Sequence, residues 1–224
     1  MPELRFLRGH RSRLILFPLG VIVVLTTTYV LYSAIDTLRQ LDLVESERDQ
    51  WQRPADVLRG LELRPGNVVV DLGSGAGYFA LKLSPIVGKK GQVLAVDIRK
   101  LSLSFLWIRA LLSHKWNIRV VLSDEDNPHL PSGGIDAVLI ANTFHELRDP
   151  KVIMDHVFRS LRVGGRLVVV DRGPRETGSR AHEIDRILVD TELQRAGLEI
   201  VSSQDHFIDR RSDDLWWLTV ARKP

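Results

Sequence analysis

The fold of this chain is decided by VVVDLGSGAGYF, residues 68–79. An apolar run followed by an acidic residue, and then by a glycine at every second position, is typical of a strand that turns sharply into a helix. Glycine has no Cβ, so its backbone can adopt positive φ and can pass close to a bound nucleoside. The helix that follows, at about residues 78–86, would direct its N-terminus at such a ligand.

The spacing of these glycines does not fit a dinucleotide site. A G-x-G-x-x-G loop seats a pyrophosphate, whereas here the third glycine, Gly77, comes one residue early and Tyr78 stands where that pattern needs glycine. The spacing therefore disfavours a dehydrogenase. By itself the loop is also compatible with a glycine-rich turn in some other α/β domain, so the residues that follow it decide the matter.

Apolar and amphipathic segments alternate along the rest of the chain. The apolar segments predict strands at 67–71, 92–97, 118–122, 135–140 and 166–171. Helices are predicted at 55–60, 78–86, 100–114, 150–161 and 181–196, with a tight turn at Gly164-Gly165 and a C-terminal antiparallel hairpin at 199–207 and 215–221. Together these elements predict an α/β fold with a doubly wound, mostly parallel, seven-stranded sheet.

The N-terminal part of the chain differs in kind from the rest. Residues 14–35 carry no charged side chain, and because about 20 apolar residues suffice to span a bilayer as a helix, they predict one transmembrane helix. Residues 1–13 form a basic tail, residues 36–52 are interpreted as a polar linker helix, and residues 53–224 form the globular domain. A cleaved signal peptide and a buried helix of a soluble protein are the alternatives for residues 14–35.

The composition limits the available chemistry. The 224 residues include no cysteine, which excludes disulfides, cysteine-based zinc sites and iron–sulfur clusters. The net charge is only +3. Basic residues beyond the N-terminus look dispersed and form no basic-aromatic strip, so no nucleic-acid partner is expected. No metal-ligand spacing is recognisable, and we expect no metal site.

A second acidic residue ends the next predicted strand. Asp97 closes the run Val93-Leu94-Ala95-Val96-Asp97, and an ionised carboxylate at that point can accept two hydrogen bonds from vicinal ribose hydroxyls. In open α/β sheets, ligands bind beyond the carboxyl ends of the strands, where Asp97 and the glycine loop would meet. A strand-end aspartate that only caps the following helix is the alternative.

The order of these motifs resembles that of a known family. VVVDLGSGAGYFALKL, then VLAVDI, a Leu-Pro-x-Gly-x-Ile-Asp loop and LRVGGRLVVVD are similar to the class I S-adenosylmethionine (SAM) dependent methyltransferases of type 11/type 25. That group includes the ubiquinone/menaquinone-biosynthesis-like branch. The resemblance covers residues from about 52 to 224, and it implies a Rossmann-like methyltransferase fold with SAM as the cofactor.

The resemblance also implies which residues hold the cofactor. Asp71 would face the methionine amine, and Asp97 would hold the ribose hydroxyls. Ile98 would pack on one face of the adenine, and Asp124 would meet the adenine amino group. The loop residues that would line the methionine and the ribose are Gly73, Ser74, Gly75 and Gly77.

The segment NTFHEL, residues 142–147, follows the fourth strand on the ligand side of the sheet. Asn142 is expected beside the cofactor. His145 and Glu146 are the candidate catalytic residues, because a histidine titrates near neutrality and suits removal of a proton from a nucleophile. A histidine bonded locally at a helix start is the alternative, and many SAM enzymes need only in-line placement of the reacting groups.

Charged residues also follow the fifth strand, where this family builds its substrate lid. They could bind an anionic head group, although a solvated charged loop is the alternative. These residues are Arg172, Arg175, Arg180 and His182.

The sequence as a whole predicts a single-pass, membrane-anchored methyltransferase that moves a methyl group from SAM to an O, N or C nucleophile of a small, lipophilic acceptor. A soluble metabolite or protein acceptor, and a non-catalytic SAM-binding membrane protein, are the alternatives. The arginines before the apolar segment would keep the N-terminus in the cytoplasm and export the domain. SAM is a cytoplasmic metabolite, however, so we expect the domain to face the cytoplasm.

Overall fold

The computed structural model describes residues 8–174, 182–210 and 214–224, with side chains from Gly20 onwards. The chain divides into two compact units, Met1–Arg48 and Asp49–Pro224, and each is described by itself. The first seven residues of the basic tail lie outside the described residues, as do Arg175 and Arg180 of the loop after the fifth strand.

The N-terminal region is one continuous helix, α1 (Arg8–Trp51), which covers both the predicted transmembrane segment and the predicted linker helix. From Gly20 onwards this helix is long and apolar enough to cross a membrane by length and composition. The hydroxyls of Thr26, Thr27 and Thr28 donate to carbonyl oxygens one turn earlier. These three hydroxyls therefore satisfy their hydrogen bonds inside the helix, as a lipid environment requires.

The second unit alternates helices and strands before ending in a hairpin. In chain order its elements are α2 (Pro54–Gly60), β1 (Val68–Leu72), α3 (Tyr78–Val87), β2 (Gln92–Asp97), α4 (Lys100–Leu112), β3 (Ile118–Leu122), β4 (Ile135–Ala141), a 3-10 turn (Phe144–Glu146), α5 (Pro150–Ser160), β5 (Leu161–Arg172), α6 (Arg186–Arg195), β6 (Glu199–Asp209) and β7 (Leu215–Arg222).

The strands form one seven-stranded sheet in the order β3-β2-β1-β4-β5-β7-β6. The first five strands pair in parallel, and β7 lies antiparallel between β5 and β6. This confirms the predicted doubly wound, mostly parallel sheet with a C-terminal antiparallel hairpin. The chain moves outward from β1 to β3 and returns to β4 on the other side of β1. A crevice for a ligand therefore opens between β1 and β4.

Two apolar cores cover the two faces of the sheet. One contains Leu83 of α3 and Leu106 of α4, and the other contains Met154 of α5 and Leu193 of α6. Neighbouring residues of β1 point to opposite cores, since Val69 belongs to the first and Val70 to the second. Burial on both faces explains why the central strands are continuous apolar runs rather than alternating ones.

The fifth strand begins earlier than predicted. It starts at Leu161 and includes Gly164 and Gly165, which were predicted to form a tight turn before the strand. The pairing of β4 with β5 shifts register in this region. The Gly164 amide donates to the Lys223 carbonyl, and the Lys223 amide donates to the Gly165 carbonyl. These long-range bonds to the C-terminus hold a bulge at the two glycines, where Gly164 has φ 75°, and regular pairing with β4 continues from Arg166. The local sequence indicates the turn but not its partner at the C-terminus.

The last helix is shorter than predicted. It begins at Arg186 instead of residue 181, because the Asp185 side chain accepts a hydrogen bond from the Ile187 amide and so caps the helix there. Helix α4 likewise ends at Leu112, two residues early, since His114 adopts a positive φ of 54° that ends the helical path.

The glycine loop can be tested by a pair of alanine substitutions. Gly77 has φ +98° and its added Cβ would lie 2.2 Å from Cδ1 of Leu106, whereas Gly66 has φ +94° with nothing within 4 Å. We expect Gly66→Ala to cost roughly 1–2 kcal/mol of unfolding free energy from backbone strain alone. Gly77→Ala should cost about 1–3 kcal/mol more, because of the clash. Urea unfolding of residues 49–224 measures both, and equal losses would contradict the close packing of α3 against α4.

Candidate functional site

A cavity of about 160 Å³ opens at the carboxyl ends of β1, β2, β3 and β4. Its walls come from the residues that follow each of these strands and from the first turn of α5. They are Leu72, Gly73, Asp97, Ile98, Arg99, Ser123, Asp124, Glu125, Pro128, Thr143, Glu146, Leu147, Arg148 and Ile153. The cavity therefore lies where the sheet topology places a ligand site.

Some of the site residues that the sequence predicts line this cavity, and others do not. Those in the lining are Gly73, Asp97, Ile98, Asp124 and Glu146. Those outside the lining are Asp71, Ser74, Gly75, Gly77, Asn142 and His145, which lie on the same loops or at the ends of the same strands.

Asp97 joins the glycine loop to the second strand. Its Oδ2 accepts a hydrogen bond from the Gly75 amide at 2.8 Å, and its Oδ1 accepts one from the Arg99 amide at 2.8 Å. The Arg99 guanidinium also contacts this carboxylate, with Nε at 3.2 Å. The Asp97 side chain is 2% exposed whereas that of Arg99 is 57% exposed. The arginine can therefore swing away from the carboxylate at little packing cost.

Arg99 was not predicted to belong to the site. The hydrogen bond to Asp97, and then the charge of that carboxylate, raise the pKa of the Arg99 guanidinium above its ordinary value. In the sequence, the only signal was a basic residue two positions after the strand-end acid.

The three loop glycines meet different constraints. A Cβ on Gly73 would lie 2.2 Å from Oγ1 and Cγ2 of Thr143, and a Cβ on Gly77 would overlap Leu106. A Cβ on Gly75 would meet only the Arg99 guanidinium, at 3.9 Å. Two of the glycines are thus required by the packing of the protein itself, while Gly75 keeps open space in front of Asp97.

The Ser74 hydroxyl adds a second polar feature to the loop. Ser74 is 6% exposed, and its Oγ has no hydrogen-bond partner among the residues that the structure describes. A buried hydroxyl without a partner is costly. A polar ligand that hydrogen-bonds this group would remove that cost, so the loop is suited to such a ligand.

His145 lies on the 3-10 turn after β4 and is held by a buried carboxylate. Its Nδ1 lies 2.8 Å from Oδ1 of Asp171, and its backbone amide donates to Oδ2 of the same residue. The side chains of His145 and Asp171 are 3% and 0% exposed. Because a carboxylate only accepts, Nδ1 carries the proton and Nε2 is the nitrogen left for chemistry.

Asp171 was missed as a site residue. It ends β5 after Val168-Val169-Val170, in the same pattern of three valines and an aspartate that places Asp71 at the end of β1. The repeated pattern was therefore the available signal, because both strands end at the same edge of the parallel sheet.

The surroundings of His145 favour its charged form. Burial by itself would lower its pKa, but the hydrogen bond to Asp171 and the charges of Asp171 and Glu146 outweigh burial and raise the pKa above the usual value. A neighbouring carboxylate that holds an imidazolium in this way is a common feature of proton-transfer sites.

A histidine from outside the predicted segment joins this group. The His182 ring lies 5.5 Å from the His145 ring, edge to face, and Nε2 of His145 lies 3.8 Å from Oε1 of Glu146. The ligand atoms of His145, Glu146 and His182 all lie within 4.8 Å of one another, which a divalent cation could use. Sequence spacing could not reveal this group, because it joins two distant parts of the chain.

The remaining predicted residues have other partners. The Asp124 side chain is 70% exposed and is bound to His129 at 2.8 Å. Asn142 follows β4 with φ 54°, and its amide donates to the Val170 carbonyl. Arg172 lies near Asp214 and over the Trp216 ring, so it helps to pack the C-terminal hairpin.

Comparison with known proteins shows what this chain is similar to. A family model described as a methyltransferase domain matches residues 70–169. The "Ubiquinone/menaquinone biosynthesis C-methyltransferase UbiE" of Pseudomonas savastanoi pv. phaseolicola is 33% identical over 122 residues, which are 54% of this chain and 47% of that protein. The protein of the same name from Vibrio cholerae is 31% identical over 109 residues, 48% of this chain and 42% of its own length. The chain thus spans about half the length of these relatives.

Solved structures agree on the fold. A SAM-dependent methyltransferase from Aquifex aeolicus superposes with a TM-score of 0.68 at 26% identity, covering 79% of this chain and 92% of its own. A [4+2]-cyclase, SpnF, also has a TM-score of 0.68 at 18% identity, covering 77% of this chain and 80% of its own. The second match shows the fold alone, so the reaction has to be argued from the residues of the site.

The His145–Asp171 pair can be tested by titration. We expect Asp171→Asn to lower the pKa of His145, measured by NMR, because it removes the carboxylate charge that holds the imidazolium. The raised pKa also means that the pair stabilises the fold fully below the unfolded-state histidine pKa of about 6.5. That contribution to stability is lost as the pH rises through the pKa of His145 in the folded protein. The stability gap between wild type and Asp171→Asn should therefore narrow with rising pH, and a pH-independent gap would contradict the pairing.

Proposed function

We propose that this chain, which belongs to the class I SAM-dependent methyltransferases, transfers a methyl group from SAM to a carbon nucleophile of a small, lipophilic acceptor at a membrane. One observation carries the proposal. The glycine loop and the buried Asp97 carboxylate meet at the carboxyl ends of β1 and β2, beside a cavity that also reaches the 3-10 turn bearing His145.

The residues at this cavity suit an adenosyl cofactor. The Asp97 carboxylate would accept hydrogen bonds from the ribose hydroxyls once the exposed Arg99 guanidinium moves aside. Gly75 leaves space in front of that carboxylate, and the Ser74 hydroxyl would gain a hydrogen bond from a polar group of the ligand. When bound, the cofactor supplies an electrophilic methyl group on a sulfonium.

Four further residues are proposed to contact the cofactor, two because they line the cavity and two because of the family resemblance. Ile98 lines the cavity and is 55% exposed, so it offers an apolar wall for the adenine. Asp124 also lines the cavity and could meet the adenine amino group. Asp71 and Asn142 lie outside the lining, and their proposed roles beside the methionine part rest on the family resemblance alone.

We assign proton removal to His145. Methylation at carbon replaces a C–H bond by a C–CH₃ bond, so the acceptor must lose one proton. Nε2 of His145 can take it, while Asp171 holds Nδ1 and stabilises the resulting imidazolium. Glu146 lies 3.8 Å from Nε2 and also lines the cavity, so it connects the largely buried imidazole with the acceptor space.

The acceptor class follows from two observations. The similar curated proteins are named as C-methyltransferases of ubiquinone and menaquinone biosynthesis, and such quinones are lipophilic. Helix α1 is long and apolar enough to cross a bilayer, and an anchor there raises the effective concentration of a membrane-dissolved acceptor. We therefore favour a quinone-type acceptor and a domain that faces the cytoplasm, where SAM is available.

The assignment of Asp97 is tested by SAM binding. Asp97→Ala removes both carboxylate oxygens that would accept from the ribose. We expect a loss of SAM affinity of about 10-fold to 100-fold, since hydrogen bonds to charged groups contribute about 1.5–3 kcal/mol. Asp124→Ala is the matched control and should cost far less, because that side chain is 70% exposed and hydrogen bonds there compete with water. Calorimetry measures both, and equal losses would contradict the assignment.

The grouping of His145, Glu146 and His182 favours a second chemistry at the same site. A divalent cation held by these residues would bind an acceptor hydroxyl and make its proton more acidic. In that case His145 would be a ligand rather than a base, and His182 would be as important as His145.

A pair of variants separates the two chemistries. If His145 acts alone, His145→Gln should lower kcat by roughly 10²–10⁴-fold, while His182→Ala should retain most of the activity and a chelator should have no effect. Methyl transfer to a quinol precursor in the presence and absence of EDTA is the measurement. If activity is lost both with EDTA and in His182→Ala, a bound metal rather than His145 acting as a base would account for the loss of the acceptor proton.

A further inference from the structure

We infer that the outer surface of helix α4 binds a lipid bilayer with anionic head groups, independently of helix α1 and of methyl transfer. This α4 surface consists of Leu101, Trp107, Ile108, Leu111, Leu112 and Trp116. It is part of the globular unit and lies on the side of α4 that points away from the sheet.

Helix α4 is apolar on both of its sides. Leu103, Leu106 and Ala110 are buried against the sheet, as expected for a core helix. On the opposite side, Leu101 is 71% exposed and Leu112 is 65% exposed. A helix that faces water normally carries charged residues there, and a contiguous exposed apolar surface marks an interaction site.

The charged residues of α4 do not interrupt this surface. The helix contains only Lys100, at its first position, and Arg109. Arg109 is 7% exposed and donates a hydrogen bond to the Ala76 carbonyl, so it lies on the core side. The exposed side of α4 therefore presents apolar groups and the hydroxyl of Ser104.

Positive charge surrounds the α4 surface. Residues 72–123 contain eight lysines and arginines and one acidic residue, Asp97, which is buried. This segment has a net charge of 8 − 1 = +7, so the rest of the chain carries 3 − 7 = −4. The basic residues of the segment that form no ion pair within the described parts of the chain are Lys89, Lys90, Lys100, Lys115 and Arg119.

The basic residues are thus concentrated in one part of the domain, although they appeared dispersed along the sequence. Residues 72–123 are strongly positive because they contain only one acidic residue, and not because they are unusually rich in basic residues. Lys100 is the first residue of α4 and Lys115 precedes Trp116, so lysines flank the apolar α4 surface at both ends. Arg119 points to the opposite face of the sheet, because it pairs with Leu94 of the second core.

A bilayer fits this surface better than other occupants do. Tryptophans among leucines, next to lysines, are typical of the membrane–water interface, where the rings lie at the head groups and cations meet anionic lipids. Trp107 is 57% exposed and Trp116 is 72% exposed. A second copy of the chain would bring two positive surfaces together. Nucleic acid would gain nothing from the exposed leucines.

The neighbouring edge of the sheet supports the same choice. Strand β3 is the outermost strand on this side, and an open edge can pair with another chain. Arg119 lies exposed in the middle of β3, and a charged residue on an edge strand opposes such pairing. Pairing with another chain at this edge is therefore disfavoured.

The absence of cysteine makes a direct experiment possible, because each introduced cysteine gives one labelling site. The full chain is reconstituted in nanodiscs of phosphatidylcholine with phosphatidylglycerol, and an environment-sensitive fluorophore is attached to Leu112→Cys. Val163→Cys is the matched control, since Val163 is 73% exposed and lies outside the α4 surface. Nitroxide-labelled lipids then quench only those fluorophores that enter the bilayer.

We expect lipid quenching and a blue shift for the label at residue 112 and neither for the label at residue 163. Combining Lys100→Glu and Lys115→Glu should reduce the quenching at residue 112 to the control level, as should discs of phosphatidylcholine alone. Lys100 is exposed and Lys115 is half-buried, and neither belongs to an apolar core, so we expect the variant to fold, which circular dichroism checks. An unquenched label at residue 112 would overturn the inference. Self-quenching that rises with the number of chains per disc, or displacement by RNA, would also overturn it and would identify the other occupants.

Discussion

The hydrogen bonds between the glycine loop and the second strand are the constraint on which the rest of the site depends. The amides of Gly73 and Ser74 both donate to the Val96 carbonyl, and the Gly75 amide donates to the Asp97 carboxylate. They require the loop to pass over the end of β2, so residue 73 meets Thr143 and residue 77 meets Leu106. The positive φ and the close contacts favour glycine at those two positions, so one short motif sets the start of α3 and part of the cavity wall.

The fold could be predicted from the sequence because its signals are local. Short apolar runs gave β2 and β3 with the bounds that the structure shows. The wrong bounds of α6 and α4 have local causes, the Asp185 cap and the positive φ of His114. For β5, in contrast, a distant contact decided where the strand begins. The Lys223 backbone is hydrogen-bonded to Gly164 and Gly165 at the start of β5, and nothing near those glycines in the sequence indicates this partner.

The site was predictable only in part, for the same reason. Asp97 and the loop glycines carry a motif, and the structure places them together. Asp171 and His182 come to His145 from β5 and from the segment before α6, so their proximity depends on the sheet order. The sequence named His145 only because it is a histidine. In the structure a buried carboxylate fixes its tautomer and raises its pKa, and these properties support its proposed role as a base. The two features that would suit a membrane likewise belong to separate regions, an apolar N-terminal helix and a cationic part of the domain.

We propose that this site moves a methyl group from SAM to a lipophilic acceptor. This transfer is tested most directly by incubating the full chain with SAM labelled in its methyl group and with a membrane extract that contains quinone precursors. We expect label in the organic-soluble fraction, formed together with S-adenosylhomocysteine and absent when Asp97→Ala replaces the wild type. A folded protein that binds SAM but transfers no label to that fraction would contradict it.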